Sequence, residues 1–299
     1  MGVKLKAYLA LAFICIVWGT TYLAARVGVK DFPPFLFMGL RQTSAGVLLI
    51  LFVMLSGKKP DLSWSLFRQQ VVPGICMITF GNGIIAWAVQ YIPSGIAALI
   101  CSMIPLYVIL INLILNRKEN LNWRILMGTI LGLAGILLIF RSHLAELRNR
   151  EYLAGILISI ASCISWAGGT IYSQKNKTSS SPILNASMQL FIGGAGLLLM
   201  SSFFEKSSGI PALSGNALFA WIYLVLIGSV AAFAAYTYAL SQLPVALVTV
   251  YAYINPLVAV ILGAVLLNEH INIYTVAAGL IIICGVYLVN TGYRLQHRH

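Results

Sequence analysis

The sequence predicts an all-α membrane protein whose ten transmembrane helices form two inverted five-helix repeats. Three observations predict it. Of 299 residues 60% are hydrophobic and only 9% are charged, with a mean hydropathy of +0.92, whereas a soluble domain carries about 25% charged residues. Apolar runs of about 20 residues, the length that crosses a bilayer as a helix, recur down the chain. One stretch is also written twice: residues 87–121, WAVQYIPSGIAALICSMIPLYVILINLILNRKENL, return in 238–272 as YALSQLPVALVTVYAYINPLVAVILGAVLLNEHIN.

Charged or Pro/Gly-marked ends bound the helices at 7–28, 35–56, 70–90, 94–116, 122–141, 152–173, 182–204, 217–241, 245–268 and 272–292. The first follows Lys4 and Lys6 and resembles a signal peptide; with nine more spans behind it, an uncleaved helix that also targets the protein is expected. Met1-Gly2 opens no myristoylation signal, because the sixth position is Lys6. The third and fourth helices are joined by the turn Pro93-Ser94-Gly95, and the fourth carries Pro105 at its middle and a charged stop. The seventh opens on Pro182, and the ninth follows Pro244 and carries Pro256. The loops are short, and none holds a soluble domain.

The repeat orders these helices. Trp18 and Trp166, Pro34 and Pro182, Arg41 and Gln189, and Gly46 and Gly194 lie 148 residues apart. Pro93 and Pro105 return after 151 residues as Pro244 and Pro256, and Glu119, Asn122 and Gly135 return after 150 as Glu269, Asn272 and Gly285. Each half, 7–141 and 152–292, therefore holds five helices. An odd number turns the second copy upside down in the membrane, an arrangement known among transporters with a midplane site between the halves.

Basic residues set the orientation. Lys4, Lys6, Lys58, Lys59, Arg68, Arg117, Lys118, Arg124, Lys175, Lys177, Arg294 and Arg298 fall on one side, which the positive-inside rule makes cytoplasmic together with both termini. The basic loop 142–151, placed outside, is the one dissonant element. The net charge of +12 sits in short clusters between apolar runs, which fits topology and anionic lipid rather than nucleic acid. Cys15, Cys76, Cys101, Cys163 and Cys284 lie inside apolar runs without metal-ligand spacing and read as small buried hydrophobes.

The two five-helix repeats, the WGTTY of 18–22, Arg41, the turn-and-helix pattern ending in Pro105 and Pro256, and the Glu119 and Glu269 stops resemble the EamA family of the drug/metabolite transporter superfamily. The resemblance covers nearly the whole chain. It implies a multi-pass exporter of small metabolites such as amino acids in the bacterial inner membrane, with a central cavity lined mainly by helices 1, 3, 4, 6, 8 and 9. The second half departs from the pattern: Gln189 replaces the Arg, and WAGGTIY stands for WGTTY.

Polar side chains within spans are costly and are the first functional candidates. Arg41 is the only charge well inside a span; it either holds a substrate carboxylate or serves structurally, snorkelling or pairing with Asp31 or Glu269. Trp18 and Tyr22 share a face of helix 1, and Tyr251 and Asn255 share one of helix 9. With Trp87, Trp166 and Tyr236 they form an aromatic group expected to line the cavity and bind substrate, since buried indole N–H and phenol groups need polar partners that lipid lacks. Such a wall suits amphipathic substrates with a flat apolar part or a cationic amine. Trp123, Tyr152, Tyr274 and Tyr293, near span ends, read as the interfacial belt. Asn82, Gln90, Asn112 and Gln189 read as interhelical hydrogen-bond formers. Pro105 and Pro256 free the carbonyls of Cys101 and Ala252 and are either hinges or static kinks. Gly128 with Gly132, and Gly193, Gly194 and Gly196, read as helix packing or a dimer face.

All seven carboxylates and all four histidines fall in loops or at span ends, leaving no mid-membrane proton carrier. The expectation is facilitated diffusion or exchange. His143 with Glu146, and His270 beside Glu269, build no catalytic constellation, and no Walker loop occurs, so no enzyme is expected. A channel-like facilitator is the alternative, disfavoured because neither a filter repeat nor a charged ring is present. No cofactor, metal or nucleic acid is called for. The expected partners are a small-molecule substrate and the lipid bilayer, with the chain a monomer or homodimer.

Overall fold

The computed structural model describes residues 3–30, 32–56, 63–115, 122–142, 149–176, 178–205, 214–243, 245–248, 251–267 and 272–296. Among them every regular element is helical. The elements are α1 (Val3–Gly28), α2 (Pro34–Leu55), α3 (Trp64–Ala88), α4 (Ser94–Cys101, resuming as Ile104–Leu115), α5 (Trp123–Ser142), α6 (Arg150–Lys175), α7 (Pro182–Phe204), α8 (Gly215–Gln242), α9 (Tyr251–Leu267, after the short turn Val245–Val248) and α10 (Ile273–Gln296). Seven stretches, in α1–α4 and α6–α8, are long and apolar enough to cross a membrane; Trp123–Gly135, Ile254–Leu266 and Ile273–Val289 are shorter apolar helices.

Local chemistry sets the ends. α3 starts at Trp64 rather than at 70, because the Ser63 hydroxyl accepts the Leu66 N–H (3.3 Å) and caps an amphipathic first turn in which Trp64 stacks on Phe67. Ser181 caps α7 and Ser214 caps α8 in the same way. Glu205 ends α7 and its carboxylate accepts the N–H groups of Phe35 (2.7 Å) and Leu36 (2.9 Å), placing negative charge at the start of α2.

Two π-helical segments interrupt the α geometry, Gly74–Gly83 within α3 and Leu224–Ala231 within α8. They begin 150 residues apart (224 − 74), at matching places in the two halves. The two proline helices differ. α4 breaks between Cys101 and Ile104, just before Pro105, whereas α9 runs through Pro256 without interruption. A proline lacks the N–H that would continue the helix and disfavours helical geometry in the residue before it.

Packing is exchanged between the halves. α1 packs on α8 and α9, and α6 packs correspondingly on α3 and α4; α2 packs on its counterpart α7, α5 on α10, and α4 on α9. The mates approach at glycines. A Cβ on Gly285 would lie 2.7 Å from the carbonyl of Gly128 and the nitrogen of Gly132, and one on Gly46 would lie 2.7 Å from the nitrogen of Phe191. The expected packing role of Gly128 and Gly132 is thus exerted inside the bundle, against α10.

Candidate functional site

Between the halves lies a cavity of about 620 Å³, counting the space open at its mouth. It is lined from α1 (Trp18, Tyr22), α2 (Arg41), α3 (Asn82), α6 (Trp166) and α9 (Tyr251, Asn255), among others. Trp18 is the centre of its aromatic floor. Its ring meets Trp166 edge-on at 5.7 Å, Tyr251 edge-on at 4.8 Å and Tyr236 tilted at 5.0 Å, and its indole N–H donates to the carbonyl of Gly228 (3.2 Å). Phe233 closes the group, 5.8 Å from Tyr236. Asn255, with its amide nitrogen turned toward the carbonyls, donates to Tyr251 (3.0 Å) and to Cys15 of α1 (2.8 Å). Adjacent polar contacts hold neighbouring helices to this floor: the Ser162 hydroxyl donates to the carbonyl of Gly81, and the Thr170 and Tyr236 hydroxyls share a bond at 3.1 Å.

One wall is a polar chain headed by Arg41, which is 2% exposed. Its Nε donates to the hydroxyl of Ser229 (2.9 Å), Ser229 donates to Gln42 Oε1 (2.9 Å), and Gln42 Nε2 donates to Asn82 Oδ1 (2.7 Å). The chain ties α2 to both π-helical segments. Arg41 Nη1 has only the sulfur of Met38 at 3.6 Å, and no carboxylate pairs with the guanidinium among the described residues. The proposed partners Asp31 and Glu269 lie outside the described residues. Two further polar atoms of the lining, Trp166 Nε1 and the Tyr251 hydroxyl, are buried with no hydrogen-bond partner.

A second cavity, of about 790 Å³ on the same measure, is lined by Gln70, Ser173, Gln189, Tyr236, Thr237 and Leu240 among others. It is the counterpart of the first. Ala25 and Arg41 of the first cavity match Ser173 and Gln189 at 148 residues, and Ile85, Ala86 and Val89 match Tyr236, Thr237 and Leu240 at 151. Tyr236 is fully buried and stands between the two, its ring on Trp18 and Trp166 of the first while it lines the second. Gln189 Nε2 donates to Gln70 Oε1 there (2.6 Å).

Of the aromatic group read from the sequence, the structure brings together Trp18, Trp166, Tyr236 and Tyr251, with Tyr22 on the same cavity. Trp87 is set apart: it stacks on Phe35 (6.5 Å) and meets Tyr91 edge-on (5.1 Å), and it does not line the cavity. The reason is helical phase, since the cavity face of α3 carries Asn82, Ile85, Ala86 and Val89, and residue 87 turns away from it. Asn82, Gln90 and Gln189 make interhelical bonds, Gln90 reaching the carbonyl of Val29 (3.0 Å). Nothing in the sequence marks Ser229, Gln42, Ser162 or Thr170. Small hydroxyl and amide residues are common in membrane helices, and only the fold shows which of them meet.

A bundle of apolar helices repeated in two halves, enclosing paired cavities around a polar and aromatic centre, defines a membrane transporter. The comparisons agree. The model of the EamA-like transporter family matches residues 5–141 and again 153–291, and the chain belongs to that family. It is 35% identical to the uncharacterized inner membrane transporter YedA of Escherichia coli (strain K12), over 95% of this chain and 90% of that one. It is 26% identical to the uncharacterized transporter YoaV of Bacillus subtilis (strain 168), over 95% and 96%, and 27% identical to Protein PecM of Dickeya dadantii, over 86% and 82%. A solved crystal structure shares the fold with a TM-score of 0.68 at 21% identity, covering 96% of each chain.

Proposed function

We propose that the protein is an alternating-access exporter of small amphipathic metabolites, amino acids or related compounds, and not an enzyme. The observation that carries this reading is the pair of cavities related by the internal repeat and parted by the Trp18, Trp166, Tyr236 and Tyr251 layer. In a ten-span inverted repeat, one cavity belongs to each side of the membrane, and rocking of the halves opens one as it closes the other. With both termini cytoplasmic in the plasma membrane, the second cavity faces the cytoplasm and the first faces outward. The inner-membrane name of the YedA relative supports that location.

Substrate is held by the aromatic floor and the polar atoms above it. The break in α4 before Pro105 and the proline at 256 serve as the hinges. Of the two described carboxylates, Glu151 is exposed in the first turn of α6 and Glu205 caps α2 from the end of α7, which supports transport without proton coupling. Counterflow in proteoliposomes tests the reading: vesicles loaded with an unlabelled amino-acid pool should accumulate one labelled class transiently, and Trp166→Ala should abolish this. Equal entry without a loaded pool would mean a pore. Pro256→Ala with unchanged rates in both directions would remove the hinge role.

A further inference from the structure

We infer that the cargo is an organic anion, a carboxylate or similar group on a flat apolar body, and that its export is driven by the membrane potential. The inference rests on the carrier reading above and adds its substrate class and driving force. It begins with an asymmetry between the matched cavities. Arg26, Lys30 and Arg41 correspond, each at 148 residues, to Gln174, Thr178 and Gln189. Arg41 lines the first cavity; Arg26 and Lys30 line the cavity that adjoins it through the shared residue Val89. Gln174, Thr178 and Gln189 all line the second cavity. The repeat therefore builds the same path twice, basic on one side and neutral on the other.

The deepest of the three points to the ligand. A guanidinium out of water without a counter-charge is costly, and among the described residues Arg41 has a serine hydroxyl and a thioether but no carboxylate. A bound carboxylate supplies the missing charge through charge-assisted hydrogen bonds. Other groups of the lining can donate as well. Trp166 Nε1 can only donate, Tyr251 offers its hydroxyl, and Asn82, whose oxygen is taken by Gln42, presents its amide N–H groups. No carboxylate stands among the described lining residues to receive an ammonium group. The rings of Trp18, Trp166 and Tyr251 receive the flat body.

Direction follows from charge. An anion leaving a negative interior moves with the field, at about 2.3 kcal/mol per charge for each 100 mV, equivalent to a roughly 50-fold gradient. Each net export carries one negative charge outward and needs no proton acceptor within the membrane.

Indole-3-propionate, tryptophan and tryptamine share one ring and differ in charge, so they separate the possibilities in proteoliposomes, with protein-free vesicles as baseline. Indole-3-propionate should exchange best and tryptamine not at all. Arg41→Gln should lower that exchange at least 10-fold, and Arg41→Lys should retain part of it. Efflux of indole-3-propionate should speed up when potassium and valinomycin set the interior negative. A preference for tryptamine or tryptophan, full activity in Arg41→Gln, or indifference to potential would each overturn the inference while leaving the carrier in place. Should Arg41→Gln fail to fold, Arg41→Lys and the potential dependence of the unmodified protein decide. If the folded protein exchanges none of the three but passes the amino-acid counterflow test, the inference falls and the carrier reading stands; failure in both removes the carrier reading as well.

Discussion

Trp166 lines the first cavity and Ser229 stands behind Arg41 of its wall, and the two carry different loads. Trp166→Phe takes an indole N–H donor from the substrate and also trims a buried ring that packs on Trp18, Phe233 and Tyr236. The expected result is a modestly lowered melting temperature from the lost ring packing, and substrate affinity weakened about 5-fold, the worth of one net hydrogen bond of about 1 kcal/mol. Ser229 relays Arg41 to Gln42, so Ser229→Ala leaves a buried guanidinium nitrogen and a glutamine oxygen unpaired. It should cost about 1–3 kcal/mol, read as a lower melting temperature in detergent. At this scale the sequence was partly legible. Trp18 and Trp166 stand out because the repeat places an indole at the same depth of both halves. Arg41 stands out because a charge in a span is rare. Trp87 misleads because an aromatic residue on a cavity helix is not thereby on its cavity face. The Ser229 link spans 188 residues of sequence, and no local pattern announces it.

The helices depend on a few points of close approach. Gly285 meets Gly128 and Gly132 backbone to backbone, so Gly285→Leu should part α5 from α10 and abolish the folded peak in size-exclusion chromatography. Gly168→Ala should be silent, because nothing lies within 4 Å of a Cβ there. α4 and α6 carry a reporter of their own. The thiols of Cys101 and Cys163 face each other at 3.4 Å beside the cavity. Oxidation by copper phenanthroline should join them and halt exchange, and dithiothreitol should restore it; exchange that continues in the crosslinked protein would show that α4 and α6 need not separate. The all-helical architecture and its seven long apolar spans followed from apolar runs and proline punctuation. The π-helical segments did not. They depend on one extra residue per turn being absorbed where α3 and α8 pass the centre, and apolar composition is blind to that register.

At the scale of the whole molecule, the repeat was the most legible feature, because matched prolines and glycines survive where side chains have diverged. It also predicts which surfaces meet, since α2 packs on α7 and α5 on α10 as counterparts. What it left hidden is that the two cavities are counterparts too, one basic and one neutral, which emerges only when lining residues are compared at 148 and 151 residues. The central claim is that these cavities open in turn around one site. Cys163 lines the first cavity, and as the sole remaining cysteine it can be converted to a mixed disulfide by a membrane-impermeant thiosulfonate, with release of sulfinate, in right-side-out and in inside-out vesicles. Alternating access predicts reaction from either side, with a transported substrate raising the rate on one side while lowering it on the other. Reaction from both sides at rates that substrate changes together, or leaves unchanged, would contradict the account and indicate a continuous pore.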